Sequence, residues 1–146
     1  MKVKIKKLDA KAVIPSYAHV TDAGMDLTAT SMKWDEEGNF VYGTGLAFEI
    51  PEGYVGLLFP RSSIAKKTLV LSNAVGVLDS GYRGEVLFKF KPTTQTNVAN
   101  PSSTVYDIGD RIGQLIILPY PKIEFEEVVE LSDSDRGMGG YGSTNK

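Results

Sequence analysis

The stretch Ala47-Phe-Glu-Ile-Pro-Glu-Gly-Tyr-Val-Gly-Leu-Leu-Phe59 decides the fold. Two short apolar runs, Ala47–Ile50 and Tyr54–Phe59, flank Pro51-Glu52-Gly53, where proline presets φ and glycine frees it, the chemistry of a tight connection. Neither run reaches the length of about 10 residues that a core helix needs, so both read as strands. The same grammar recurs outward in both directions. Further candidate strands are Val3–Leu8, Met25–Ala29, Phe40–Tyr42, Leu69–Leu71, Val75–Leu78, Glu85–Lys91, Ser103–Tyr106, Gly113–Pro119 and Ile123–Val129. Two hairpins are expected, one at Pro51–Gly53 and one at Ser80–Gly84. The one helix candidate is Ser62–Lys67, one or two turns long, with a serine at its start as N-cap. The fold class is therefore all-β, a sandwich or barrel with one short helix.

With 146 residues the chain has the size of one domain, assigned here to residues 1–131, and it shows no internal repeat. Residues 132–146 form a separate tail: after Leu131 core-forming side chains become scarce, and four of the 15 glycines fall between Gly137 and Gly142. Such a tail is expected to be mobile unless something holds it down. There is no cysteine and one histidine, which excludes disulfides, thiolate metal sites and thiol nucleophiles. Catalysis would have to come from carboxylates, hydroxyls, bound water or His19. Sixteen basic against 18 acidic residues leave no basic footprint for nucleic acid. Met1–Leu8 alternates lysines with Val3 and Ile5 and lacks a signal-peptide core, and the longest apolar run, Leu115–Leu118, is far below a membrane span. The cytoplasm, or another reducing interior, is the expected location, without membrane or nucleic-acid partners.

Five segments carry chemistry. Asp22 and Asp26 in Asp22-Ala-Gly-Met-Asp-Leu27 are hard oxygen donors that suit Mg2+ shared with phosphates, or are simply solvated charges. Pro60-Arg-Ser-Ser63 offers a guanidinium, two hydroxyls and a helix start to an anion, or is an N-cap beside a surface arginine. Asp79, between the apolar Val77-Leu78 and the turn Ser80-Gly-Tyr-Arg-Gly84, either orients a water or initiates the turn through its own backbone. Arg111-Ile-Gly-Gln-Leu115 places Arg111 and Gln114 on opposite faces around Ile112 and Gly113, and a buried Gln114 needs a hydrogen-bond partner. Arg136-Gly-Met-Gly-Gly-Tyr-Gly-Ser-Thr144 formally contains G-x-G-x-x-G, but only four residues follow Gly142, too few for the required helix. It reads either as a glycine-rich tail or as backbone donors with Tyr141 as an aromatic face, suited to a phosphate with a ring attached. A hydrolase triad of Ser62 or Ser63, Asp79 and His19 lacks a G-x-S-x-G elbow, and His19 reads as a surface histidine.

In this order the five segments resemble the five motifs of the homotrimeric dUTP pyrophosphatases, over Asp22 to Thr144. The resemblance implies a jelly-roll-like, distorted β-barrel, a homotrimer with three shared sites, and hydrolysis of dUTP to dUMP and pyrophosphate with Mg2+. Carried over, Asp79 positions the attacking water, Asp26 supports Asp79, and Asp22 holds the metal through water. Asn73 and the backbone near Val77, Leu78 and Leu87 read uracil in a hairpin from Asn73 to about Leu87, while Tyr82 packs on the deoxyribose. Arg61, Ser62, Ser63 and Gln114 hold the phosphates from a neighbouring subunit. The tail closes as a lid, with Tyr141 over the base and Arg136, Gly142, Ser143 and Thr144 at the γ-phosphate.

This chain departs from the motifs at three places: Tyr141 for phenylalanine, Ser63 for a frequent glycine, and Asn145 for a final glycine. The related dCTP deaminases share Pro-Arg-Ser-Ser but carry an arginine two residues before the shared aspartate and a glutamate about ten after it. Val77 and Lys89 stand there instead. That activity, alone or beside dUTP hydrolysis, is the first alternative, and a non-catalytic regulatory protein on the same fold is the second.

Overall fold

The computed structural model describes residues 1–93 and 104–140. It contains β1 Lys4–Lys7, β2 Met25–Thr28, β3 Ser31–Trp34, β4 Phe40–Gly43, β5 Leu46–Glu49, β6 Tyr54–Pro60, β7 Leu69–Leu71, β8 Gly76–Leu78, β9 Leu87–Pro92 and β10 Arg111–Pro119. Every pairing is antiparallel. One four-stranded sheet runs β2-β10-β6-β8, a second runs β3-β4-β9-β7, and β1 pairs with β5 alone. The expected all-β class holds, but the sheets stay open and do not close into a barrel. Among the described residues no helix is long and apolar enough to cross a membrane.

Burial follows the period of two. In β9, Phe88 and Phe90 point into the core while Leu87, Lys89 and Lys91 point out. Leu27, Leu58, Leu78, Ile112 and Leu115 from the first sheet meet Tyr42, Leu69, Leu71, Phe88 and Phe90 from the second. Tyr42 is fully buried and donates its hydroxyl to Tyr106 O at 2.8 Å, and burial pushes its pKa up to about 12. Each such aromatic contributes on the order of 2 kcal/mol by leaving water.

The two expected hairpins are corners between sheets. Pro51-Glu52-Gly53 turns through Tyr54 N to Pro51 O at 3.2 Å, yet β5 pairs with β1 whereas β6 pairs with β10 and β8. Ser80–Gly84 likewise links β8 of one sheet to β9 of the other, so the expected Asn73–Leu87 hairpin has no β8–β9 ladder. The hairpin that does form is β3–β4, unread in the sequence because Ser31-Met-Lys-Trp34 alternates over only four residues, all of which are exposed. Its turn is built by Asp35, whose Oδ1 accepts from the backbone N of Glu37 and Asn39, with Gly38 at φ 78°.

Two expected strands are absent. Ile123–Val129 forms no strand, with Phe125 93% and Val129 101% exposed, and it pairs with no strand among the described residues. Ser103 lies outside the described residues and Thr104–Tyr106 is not a strand. The predicted helix is a 3-10 turn over Ser62–Lys66, and Arg61, not a serine, holds its N-cap position without a side-chain capping bond.

Candidate active site

The candidate residues fall into two separate clefts. Cleft A, about 580 Å3, is lined by Asp22, Asp26, Arg61, Ser62, Arg111 and Gln114, together with the Ser16–Gly24 loop. Strands β2, β6 and β10 are neighbours in one sheet, which brings Asp26, Arg61 and Gln114 together from positions far apart in sequence. Asp26 Oδ1 accepts from Arg61 Nε at 2.7 Å, and its Oδ2 accepts from Arg111 Nη1 at 3.0 Å. Gln114 donates Nε2 to Pro60 O at 3.3 Å, the cross-strand partner its burial requires. Its amide oxygen lies across Gly24, where a Cβ would stand 2.5 Å from Oε1.

Arg111 and Gln114 do not take opposite faces. The β10–β2 register shifts between Arg111 and Gly113, a bulge that changes the phase of the strand. Ile112 and Leu115 therefore both reach the core, and Arg111 and Gln114 both reach cleft A. Arg111 was not among the expected site residues. The sequence signal was its place at the head of the Arg111–Leu115 segment, with Gly113 as the residue type that accompanies a bulge.

Asp22 begins where the Ser16–Thr21 loop ends. Its Oδ2 accepts from His19 N at 2.9 Å, and its backbone N donates to His19 O at 3.1 Å. Among the described residues no group of three metal-ligating side chains exists. Both Asp26 oxygens are engaged by arginines, which leaves Asp22, held only through Oδ2 by His19 N among the described residues, as the carboxylate not paired with a cation in the cleft. One carboxylate fits a Mg2+ that arrives with phosphates and keeps its waters, and not a protein cage.

Cleft B, about 210 Å3, is lined by Asn73, Val77, Leu78, Asp79, Tyr82 and Leu87. Here β8 is the end strand of its sheet, so among the described residues no strand pairs with its outer edge. Backbone donors and acceptors at Val77 and Leu78 are thus available to a planar ligand edge. Leu78 itself is buried, whereas Val77 is 64% exposed at the rim. Ala74 takes φ 58°, a left-handed conformation costly for a residue with a Cβ, and Val75 N donates to Asn73 O at 2.6 Å.

Asp79 uses only its backbone in the turn, Tyr82 N donating to Asp79 O at 3.0 Å. Its carboxylate makes no hydrogen bond or ion pair among the described residues. The turn is clasped by Arg83, whose Nη1 donates to Ser80 O at 2.6 Å and Tyr82 O at 2.8 Å. Tyr82 donates its hydroxyl to Glu85 O at 3.0 Å, and its ring lies over Gly84, where no Cβ would fit.

Several expected residues lie elsewhere. Asp26 and Asp79 line different clefts of the chain, so the expected support of one by the other does not occur within it. Ser63 lines neither cleft: its hydroxyl is buried beside the Tyr106 hydroxyl, whose pKa is raised by burial and lowered in part by Ser63. Arg136 is in neither cleft and donates Nε to Gly139 O at 2.9 Å. Tyr141, Gly142, Ser143 and Thr144 lie outside the described residues. Lys89 is tied to Asp35 and Glu37 at 2.8 and 2.9 Å, outside both clefts. His19 and Ser62 line cleft A while Asp79 lines cleft B, so no triad assembles.

An open antiparallel β protein with a guanidinium-and-hydroxyl cleft, and a second cleft carrying a free carboxylate beside an unpaired strand edge, belongs to the class of proteins that handle an anionic, ring-bearing ligand. The family model for dUTPase matches residues 10–145, and the chain belongs to the dUTPase family. It is 41% identical to the deoxyuridine 5'-triphosphate nucleotidohydrolase of Nautilia profundicola over the full length of both chains. It is also 41% identical to that of Rhodococcus erythropolis, over 99% of this chain and 86% of the relative. Among solved structures, the dUTPase of Staphylococcus bacteriophage 80alpha with dUpNHpp superposes at a TM-score of 0.84, with 30% identity and 99% of each chain covered. A mutant dUTPase of S. aureus phage phi11, described for its structural Mg(II) ion, gives 0.74, with 28% identity over 89% of this chain and 98% of the other.

Proposed function

We propose that this protein hydrolyses dUTP to dUMP and pyrophosphate by attack of water on the α-phosphorus, limiting uracil in DNA and supplying dUMP for thymidylate synthesis. The carrying observation is the division of labour between the clefts. Cleft B supplies a base-reading strand edge and an unengaged Asp79 carboxylate; cleft A supplies the cations and hydroxyls that a triphosphate needs. A homotrimer that sets cleft A of one subunit against cleft B of its neighbour would complete three sites. The exposed Ile123, Phe125, Val128 and Val129, on a segment that pairs with no strand among the described residues, support contact between copies.

In this reading Asp79 aligns the water and accepts its proton as the Pα–O bond to the leaving pyrophosphate breaks. Arg61, Ser62 and Gln114 bind phosphate oxygens and stabilise the charge that moves onto pyrophosphate. Asp22 would hold Mg2+ through waters, and the ion supplies Lewis-acid charge neutralisation when bound. The edge of β8 would select uracil by its donor and acceptor order and leave no room for a 5-methyl group. Tyr82 would pack where a 2'-hydroxyl would stand. Tyr141, Arg136, Gly142, Ser143 and Thr144 would close over the substrate and exclude water.

Product analysis with dUTP, dCTP, dTTP and UTP plus Mg2+ tests the proposal. Pyrophosphate from dUTP alone is expected; ammonia from dCTP would overturn it.

A further inference from the structure

We infer that Arg111 is a positioning residue of the phosphate cleft, acting on Arg61 through the shared carboxylate of Asp26. The inference rests on the proposed function and gives a role to the first residue of the Arg111–Leu115 segment, to which the resemblance assigned none.

A regular strand would turn Arg111 away from Gln114. The bulge between Arg111 and Gly113 brings both to cleft A instead, at the cost of a disrupted ladder with β2. What Arg111 meets there is Asp26 Oδ2 at 3.0 Å, while Arg61 Nε holds Oδ1 at 2.7 Å. Two guanidiniums around one small cleft repel each other, and the carboxylate between them offsets that repulsion. Because Asp26 takes only the Nε of Arg61, both terminal nitrogens of that side chain are left without a partner among the described residues. They are the pair that can grip a phosphate in bidentate fashion. The Asp26 and Arg61 side chains are each 26% exposed, whereas Arg111 is 57% exposed and closes the cluster from the solvent side. Without Arg111, one Asp26 oxygen is free to swing, and Arg61 loses the fixed partner that sets its plane.

The experiment compares wild type, Arg111→Gln, Arg111→Lys, Asp26→Asn and the Arg111→Gln/Asp26→Asn double variant. Calorimetry measures binding of dUpNHpp and steady-state kinetics follow dUTP, at one ionic strength. Loss of one partly exposed charged contact predicts about tenfold weaker binding and a similar rise in KM for Arg111→Gln, with kcat within about threefold. Arg111→Lys should recover part of the affinity, and circular dichroism should report folded protein throughout. The double variant should bind about as weakly as Asp26→Asn alone, because both changes cut the same strut. Unchanged binding by Arg111→Gln would overturn the inference. So would losses that multiply in the double variant, since Arg111 would then act on phosphate directly. If Arg111→Gln does not fold, the same cycle is run with Arg111→Lys. Wild-type turnover of dUTP tests the proposed function, and the ratios between variants test Arg111, so the two fail separately.

Discussion

Arg61 Nε lies 2.7 Å from Asp26 Oδ1, a pair joined across 35 residues of chain by the β2-β10-β6 arrangement. The pair lines cleft A, whereas Asp79, the carboxylate proposed to align water, lines cleft B. In the proposed reading, binding charge and reacting water come from separate clefts of the subunit, which sets the form of the predictions.

Asp79→Asn keeps the shape of the turn, which uses the Asp79 backbone, and removes the proton acceptor. Turnover of dUTP is expected to fall by about 100-fold or more, while dUpNHpp binds within a few-fold of wild type. Near-normal turnover would remove Asp79 from the reaction.

Gly24→Ala places a methyl 2.5 Å from Gln114 Oε1, and the flexible amide must move out of cleft A. KM for dUTP should rise about three- to tenfold while the melting temperature changes little. An unchanged KM would show that Gln114 does not bind phosphate.

Gly113→Ala acts on the core instead. The added Cβ would intrude on the Phe88 ring and stand 3.0 Å from Phe59 O, neither of which can yield without disturbing a strand. A loss of about 1–3 kcal/mol is expected, read from urea denaturation midpoints. A midpoint equal to wild type would contradict this packing.

The Lys89 ammonium and the Asn39 amides hold the Asp35 carboxyl well below its ordinary 3.8. A depressed carboxylate stabilises the fold above its unfolded pKa, and that stability is lost as pH falls below 3.8 toward the folded value. Asp35→Asn should therefore be less stable than wild type near neutral pH, with the gap narrowing in acid below that point. Denaturation curves across the range would show it; a gap that widens in acid would reverse the sign.

Removal of Asp135–Lys146 leaves the described strands intact, because among the described residues none lies beyond Pro119. The shortened protein should fold and assemble as the full chain does, yet hydrolyse dUTP poorly. Full activity after truncation would exclude a closing role for the tail.

Much of the fold was legible because strands with one wet face announce themselves. Leu87-Phe-Lys-Phe-Lys91 alternates in sequence and in burial alike. Ser31-Met-Lys-Trp34 was illegible for the converse reason: all four residues are exposed, and the strand exists through the Asp35 turn and its pairing with β4. Ile123–Val129 had the apolar content of a strand, yet it lies along no sheet edge among the described residues and leaves Phe125 and Val129 exposed.

Residue types and local spacing named Asp22, Asp26, Arg61, Gln114 and Asp79, because carboxylates, guanidiniums and amides next to turns are local facts. Which of them meet was beyond local spacing. Pro51-Glu52-Gly53 looks the same whether it closes a hairpin or crosses between sheets, since a turn sets only four residues and the ladder partner lies elsewhere. Arg111 entered the cleft through a single bulge, which shifts a strand by one residue and reverses every face that a period of two predicts. Chemistry is carried by side chains and could be read along the chain; partnership depends on strand order and register, which only the packed sheets decide.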